Sequence, residues 1–188
     1  MTRGVLWDSS AILALLDADD ADHVRAVEVA RAIASERRPS FITNYIEAEA
    51  HALLLRKLGR TVARQWLLTG GLPVVSVLPA EEQRAKEMLA RHVDKDWTLC
   101  DAISFAVLDS RRVPRAFTFD HHFRQYGRVH VLGLEYGSVA RAAIDGLIGT
   151  SCVGGPRSST AAAVILISRG VLTLQVVHPD NATNAGHR

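Results

Sequence analysis

The sequence predicts an α/β fold with a central, mostly parallel sheet of about five strands that helices cover. Short apolar runs alternate with longer segments of helical periodicity, and this alternation is typical of a parallel sheet covered by helices. The length of 188 residues and the hydrophobic content of 48% are also sufficient for an ordinary folded core. Collagen-like, disordered and disulfide-scaffold classes are therefore excluded.

Five strands are predicted from apolar runs that polar or turn-forming residues bound. They cover Val5 to Trp7, Pro39 to Ile42, Val74 to Leu78, Ala116 to Phe119 and Val129 to Leu134. Helical segments separate these runs, as they do in chains that build parallel sheets from crossover units.

Six helices are predicted between these strands. Their ranges are Ser10 to Leu16, His23 to Glu36, Asn44 to Leu58, Thr61 to Thr69, Ala80 to His92 and Thr98 to Asp109. The acidic segment Asp17 to Asp22 is predicted to be a turn, and Gly59 is expected to end the third helix. Gly70-Gly71 is expected to break the fourth helix.

The composition changes after about Tyr136, which divides the chain into a domain of residues 1–136 and a C-terminal extension of residues 137–188. The stretch Gly146 to Thr160 is rich in glycine, serine and threonine, so the extension is expected to be linker-like or partly disordered. The chain has 22 basic and 20 acidic residues, and the surplus of +2 lies in the extension. Such a balance gives no general attraction to polyanions, so any contact with nucleic acid must come from local patterning.

The cysteines and the apolar runs predict a cytoplasmic protein without a membrane segment. Cys100 and Cys152 share no C-x-x-C or zinc-ligand spacing, which indicates a reducing cytosol. The longest apolar run, Ala161 to Ile167, is far shorter than the ~20 residues that span a bilayer. The residues before Asp8 are too few for the apolar part of a signal peptide.

Acidic residues follow several predicted strands at the edge where a parallel sheet binds its ligands. Asp8 and Asp120 end the first and fourth strands, Glu47 or Glu49 follows the second strand, and Asp101 lies near the start of the sixth helix. Carboxylates packed together raise one another's pKa, and such clusters usually hold a divalent cation. Ligands that are all oxygen favour Mg²⁺ or Mn²⁺ over zinc.

Each aspartate also has a purely structural interpretation. Asp8 precedes Ser9-Ser10 and Asp120 precedes two histidines, so either residue could be a helix N-cap. Thr98-x-x-Asp101 has the spacing of a capping box. The functional interpretation therefore depends on the joint occurrence of the acids at one sheet edge.

The two glutamates differ in their local partners. Asn44-x-x-Glu47 has capping-box spacing, which accounts for Glu47 at the start of the third helix. Glu49 has no such partner, so it is favoured for the pocket, with Glu47 as the alternative.

Four segments carry a family resemblance: Asp8-Ser9-Ser10, Thr43 to Glu49, Asp101 to Ala106 and Phe117 to Phe123. They resemble the acidic motifs of PIN-domain ribonucleases, and in order and spacing they are most similar to the VapC toxins of type II toxin-antitoxin modules. The resemblance covers residues 4 to about 135, and the chain continues past the usual end of that family.

This resemblance implies a three-layer α/β/α PIN-like fold and cleavage of RNA, with tRNA as one candidate, in the presence of Mg²⁺ or Mn²⁺. It also implies a homodimer that a cognate VapB-type antitoxin neutralises. Carried over by position, the catalytic and metal-binding residues would be Asp8, Glu49, Asp101 and Asp120. Ser9 and Ser104 match polar positions that support the pocket, although a helix-start hydroxyl and a packing residue are their alternatives.

Other functions are possible alternatives. A non-catalytic PIN-like domain that binds RNA or protein would be expected to lack one of the acids, and all four are present. Asp120-His121-His122 also resembles the signature of DHH phosphoesterases, but no companion motif precedes it. A phosphoacceptor receiver domain would need a late lysine, and none follows Lys95. Glycine-rich nucleotide-binding loops are absent from the sequence.

Overall fold

The computed structural model describes residues 4–69, 72–134, 162–168 and 171–177. Its centre is a five-stranded sheet in the order β3-β2-β1-β4-β5, and every neighbouring pair in it is parallel. The strands are β1 Val5–Trp7, β2 Ser40–Thr43, β3 Val74–Val75, β4 Arg115–Thr118 and β5 His130–Gly133. The predicted α/β class and the five parallel strands are confirmed.

Helices connect these strands and cover the sheet in a three-layer α/β/α arrangement. Those of the described ranges are α1 Ser9–Leu16, α2 His23–Ser35, α3 Asn44–Lys57, α4 Gly59–Thr69, α5 Pro79–Arg91, α6 Leu99–Ser110 and α7 His122–Tyr126. Gly59 has a φ of 84°, a left-handed conformation that ends α3 as predicted. The short helix α7 is an addition to the predicted set.

The third strand is shorter than its apolar run suggested. The side chain of Asn44 accepts a hydrogen bond from the backbone N–H of Val77 at 2.9 Å, and Pro79 begins α5. Residues 76–78 therefore form the connection to α5, and the pairing of β3 with β2 ends at Val75.

The core surrounds the central strand. Residues Val5 to Trp7 of β1 are completely buried, as expected for a parallel strand covered on both faces. In α6 every residue from Asp101 to Leu108 is buried, and Phe105 of this helix packs edge-on against Phe123 of α7 at 5.0 Å between ring centroids. The helix that carries Asp101 is thus held rigidly against both the sheet and α7.

A buried ion pair joins α5 to α6. Both oxygens of the Glu81 carboxylate accept hydrogen bonds from the guanidinium of Arg111, at 2.8 and 2.7 Å, and Oε1 also accepts one from Ser110 at 2.6 Å. The Arg111 guanidinium, together with the backbone N–H of Leu78 and the hydroxyl of Ser110, lowers the pKa of Glu81 to about 2 against the opposing effect of burial.

Part of the C-terminal extension forms an antiparallel hairpin of β6 Ala162–Ser168 and β7 Val171–Val177. The two strands coincide with two apolar runs of the sequence, and the linker-like character expected of the extension stays a prediction. The predicted break at Gly70-Gly71, Cys152 and the stretch Gly146 to Thr160 lie outside the described residues. The division into residues 1–136 and 137–188 stays a prediction. None of the helices in the described ranges has the length and hydropathy that a bilayer span requires.

Candidate active site

The strand order places a switch point between β1 and β4. The chain runs from β1 outward to β2 and β3, then returns to place β4 on the opposite side of β1. In open parallel sheets the crevice at such a reversal, outside the carboxyl ends of the strands, is where ligands bind. Asp8 directly follows β1, and Asp120 follows β4 by two residues. The sheet therefore brings these two predicted acids to one crevice.

Asp8 is both the N-cap of α1 and a buried carboxylate of this crevice. Its Oδ2 accepts hydrogen bonds from Ser10 N at 3.2 Å, Ser10 Oγ at 2.5 Å and Thr118 Oγ1 at 3.0 Å. Burial, with a further contribution from the charge of Glu49, raises the pKa of Asp8 to about 6, although the Ser10 and Thr118 bonds act in the opposite direction. The cap interpretation is confirmed. Because all three bonds fall on Oδ2, the cap is compatible with a pocket role for Asp8, which stays a prediction.

Thr118 connects Asp8 to Asp120. Its hydroxyl donates to Asp8 Oδ2 and accepts the backbone N–H of Asp120 at 2.9 Å. Ser10 Oγ lies 3.2 Å from the same hydroxyl and accepts the N–H of Phe119 at 3.0 Å. Sequence reasoning missed Thr118, although a polar residue at the end of an apolar strand was an available signal.

Glu49 faces the start of α1. Its Oε2 accepts a hydrogen bond from Ser9 Oγ at 2.7 Å, so Ser9 holds one predicted acid beside another, Asp8. The effect of Glu49 on the pKa of Asp8 is consistent with this proximity. The assignment of Glu49 to the pocket stays a prediction that this contact favours.

The capping box predicted for Asn44 and Glu47 is wrong. The N-cap of α3 is Thr43, whose Oγ1 accepts the N–H of Ile46 at 3.1 Å. Asn44 is already helical, and its side chain binds the N–H of Val77 instead. Because β2 runs to Thr43, the extended residue at the boundary supplies the cap.

Asp101 begins α6 in the capping box that its spacing predicted. Thr98 Oγ1 accepts the N–H of Asp101 at 3.1 Å, and Asp101 Oδ2 accepts the N–H and the hydroxyl of Thr98 at 2.7 and 2.8 Å. The side chain is buried. One turn later the hydroxyl of Ser104 is buried without a hydrogen-bond partner among the described residues.

His122, at the start of α7, joins Asp101 and Asp120. Its Nδ1 lies 3.2 Å from Asp101 Oδ2 and 3.2 Å from Asp120 Oδ1, and its Nε2 lies 3.1 Å from Asp96 Oδ1. Burial lowers the pKa of His122, but the carboxylates of Asp120, Asp101 and Asp96 outweigh it and raise that pKa. Sequence spacing does not favour a pocket role for His122 over an exposed helix start, because the packing of α7 on α6 is a tertiary feature.

Cys100, next to Asp101, experiences the charges of several of these acids. Burial raises the pKa of its thiol strongly, and the negative charges of Glu49, Asp8 and Asp101 raise it further. One side chain thus experiences three of the four predicted acids. The fourth, Asp120, is tied to Asp8 through Thr118.

These groups fit a divalent cation. Asp101, Asp120 and His122 each present one ligand atom, and the three atoms lie within 4.8 Å of one another. Within the described ranges, the ion pairs of Asp101 and Asp120 are with histidine and involve no arginine or lysine. Buried and partly buried carboxylates without such counter-ions repel one another, and a bound cation relieves that repulsion.

Comparison with known proteins gives the family. The model of the PIN domain family matches residues 5–129. The chain is 31% identical over 133 residues to the 23S rRNA-specific endonuclease VapC20 of Mycobacterium tuberculosis, in strains CDC 1551 / Oshkosh and ATCC 25618 / H37Rv. That alignment covers 68% of this chain and 97% of the relative.

Solved structures agree with this result. The crystal structure of M. tuberculosis VapC20, described as a Sarcin-Ricin loop cleaving toxin, matches with a TM-score of 0.57 and 29% identity over 66% of this chain and 96% of that one. FitAcB from Neisseria gonorrhoeae matches with a TM-score of 0.50 and 17% identity over 70% and 99%, a likeness of fold alone. The chain therefore belongs to the PIN-domain family, with VapC-type toxins among its relatives.

Proposed function

We propose that this protein is a metal-dependent endoribonuclease toxin of the VapC type, which cleaves phosphodiester bonds in RNA. Its catalytic residues are Asp8, Glu49, Asp101 and Asp120. The observation that carries the proposal is the gathering of these acids around the carboxyl ends of β1 and β4, without a lysine or arginine paired to Asp101 or Asp120 among the described residues. Membership of the PIN-domain family supports the same conclusion.

The four carboxylates would hold Mg²⁺, with Mn²⁺ as the alternative, because oxygen donors suit both ions. When bound, a divalent cation supplies positive charge that stabilises the negative charge developing on the phosphate. Ser9 holds Glu49 in place, and Ser10 and Thr118 hold Asp8, so these hydroxyls fix the carboxylates before RNA binds.

We assign Asp8 as the residue that accepts a proton from the attacking water. Its pKa of about 6 leaves it ionised at neutral pH, yet makes it a better proton acceptor than an ordinary aspartate. In the hydrolysis the oxygen of water bonds to phosphorus, and the bond between phosphorus and one ribose oxygen breaks. One proton of the water passes to the Asp8 carboxylate, and the departing ribose oxygen takes up a proton from solvent. No serine or cysteine nucleophile is required.

We further infer that the substrate is a structured RNA. The relative VapC20 is named for 23S rRNA and for the sarcin–ricin loop, which makes that loop the leading target here. The alternative target is tRNA. Incubation with a sarcin–ricin loop oligonucleotide and with tRNA, followed by mapping of the cut sites, distinguishes the two.

A cognate VapB-type antitoxin and a homodimer complete the proposal. The relationship to VapC-type toxins supports both partners. Co-expression with the product of a small neighbouring open reading frame should restore growth that this chain arrests. Light scattering of the purified protein should give twice the mass of 20.5 kDa.

The test of the catalytic assignment is RNA cleavage by four single variants, in which Asp8, Asp101 and Asp120 are changed to Asn and Glu49 to Gln. Each should lower the cleavage rate roughly a hundredfold or more, which corresponds to about 3 kcal/mol of transition-state stabilisation. Glu47→Gln is the matched control and should cleave at the wild-type rate, and EDTA should stop wild-type cleavage. Full activity of Asp8→Asn would contradict the assignment, and wild-type binding of RNA without cleavage would favour a non-catalytic PIN-like domain.

A further inference from the structure

One ring nitrogen of His122, Nδ1, is buried without a hydrogen bond among the described residues. Only 9% of this residue is exposed, and Nδ1 has no hydrogen-bond partner among the residues that the structure describes. The atom nevertheless lies 3.2 Å from one oxygen of Asp101 and 3.2 Å from one oxygen of Asp120. Leaving a buried polar atom unpaired is unfavourable, so this arrangement favours a partner between the ring and the two carboxylates.

The opposite nitrogen of the ring is held by another carboxylate. Nε2 of His122 lies 3.1 Å from Asp96 Oδ1. A proton on Nε2 satisfies that contact and leaves the lone pair of Nδ1, 3.2 Å from Asp101 and from Asp120, available to a cation; this tautomer is assigned from the hydrogen-bond partners. Histidine ligands of metal ions are commonly oriented in this way, by a carboxylate on the ring nitrogen that does not bind the metal.

Packing fixes the ring at this place. The backbone N–H of His122 donates to Asp120 Oδ1 at 2.8 Å, and the next residue, Phe123, is fully buried against Phe105 of α6. Asp101 lies on the same helix as Phe105. The imidazole is therefore held by the bond to Asp120 and by the packing of α7 on α6, the helix that carries Asp101.

We propose that Nδ1 of His122 is a metal ligand and that, with Asp101 and Asp120, it forms a cation position of mixed nitrogen and oxygen donors. Imidazole binds first-row transition metals far better than Mg²⁺, so this position prefers Mn²⁺ to Mg²⁺. The inference rests on the proposed metal-dependent function and adds to it a ligand outside the four predicted acids.

The neighbouring histidine provides the matched control. His121 also belongs to a second possible group, with Asp96 and His122. Its side chain is 65% exposed and that of Asp96 is 78% exposed, so this second group faces solvent. We assign the ion to the group of Asp101, Asp120 and His122, so His121→Asn should leave metal binding there unchanged.

The test is pulsed electron paramagnetic resonance of Mn²⁺ bound to the full chain without RNA, which detects nitrogen bonded directly to the metal. Wild type and His121→Asn should show a ¹⁴N coupling from one imidazole, and His122→Asn should lose it. In competition titrations His122→Asn should bind Mn²⁺ roughly tenfold or more weakly, and its preference for Mn²⁺ over Mg²⁺ should shrink.

A second measurement needs no substitution. Wild-type protein labelled with ¹⁵N-histidine should show the coupling pattern of ¹⁵N in place of that of ¹⁴N. The proposal therefore stays testable even if circular dichroism shows that His122→Asn is misfolded. Bound Mn²⁺ without nitrogen coupling, or coupling that only His121→Asn removes, would overturn the assignment of His122 while leaving the proposed nuclease intact. Absence of any Mn²⁺ or Mg²⁺ binding to wild type would overturn both proposals.

Discussion

Replacing Asp8 with Asn should stabilise the metal-free protein while it abolishes cleavage. Asp8 is 5% exposed, and its pKa is raised from 3.8 to about 6, mainly by burial and then by the charge of Glu49. At about 1.4 kcal/mol per pKa unit, this difference corresponds to about 3 kcal/mol by which the ionised carboxylate destabilises the fold at neutral pH. Asn keeps an oxygen for the bonds from Ser10 and Thr118 and removes the charge.

The pH dependence has a definite sign. Because the folded-state pKa of Asp8 is the higher one, the protonated carboxyl favours folding below pH 3.8, and this contribution is lost as the pH rises through 6. Wild type and Asp8→Asn should therefore have similar stability near pH 4. The variant should become progressively more stable than wild type up to about pH 7, where the full difference is reached.

Thermal unfolding in EDTA measures this difference. For a chain of this size about 3 kcal/mol corresponds to a rise in Tm of roughly 6 to 12 °C at pH 7.5. Asp19→Asn, in the exposed turn after α1, is the control and should leave Tm unchanged. Divalent cations should raise the Tm of wild type more than that of Asp8→Asn, because binding stabilises only a site that retains the charge. An Asp8→Asn protein that melts at or below the wild-type temperature in EDTA would refute the reasoning.

Three further predictions concern the packing that supports the site. Glu81→Gln should lower the free energy of unfolding by about 3 kcal/mol at pH 7, because the fold lowers the pKa of Glu81 from 4.5 to about 2. In urea titrations the full loss of stability should appear above pH 4.5, and the loss should shrink as the pH falls toward 2. Gly133→Ala should destabilise by more than about 1 kcal/mol, because φ is 110° and a Cβ would lie 2.7 Å from the carbonyl oxygen of Thr118; a wild-type Tm would contradict this. Ser9→Ala should keep its Tm but cleave RNA roughly tenfold more slowly, because Glu49 loses one hydrogen bond; equal single-turnover rates would exclude that role.

Local patterns predicted most of the fold because they report local preferences. The alternation of apolar runs and helical segments predicted the parallel sheet, and the spacing of Thr98 and Asp101 predicted a capping box that the structure contains. The order of the strands depends on packing between distant segments. It could not be predicted from these patterns, although it creates the switch point between β1 and β4.

The errors near the site have the same physical origin. The cap of α3 moved from Asn44 to Thr43 because β2 extends to Thr43 and the Asn44 side chain binds the distant Val77. Helix α7 is too short for a periodic signal, and it forms where Phe123 packs on α6. His122 gains its place beside the aspartates only through that packing, so sequence spacing alone gave it no role.

The most direct test of the central claim is single-turnover cleavage of end-labelled RNA, with Mg²⁺ added to metal-free protein, by wild type and by an Asp8→Asn/Asp101→Asn double variant. Circular dichroism should first show that both proteins are folded. Wild type should cleave only after Mg²⁺ is added, and the double variant should show no cleavage above background at any Mg²⁺ concentration. Mg²⁺-dependent cleavage by the double variant at the wild-type rate would contradict the claim that these carboxylates form the catalytic site.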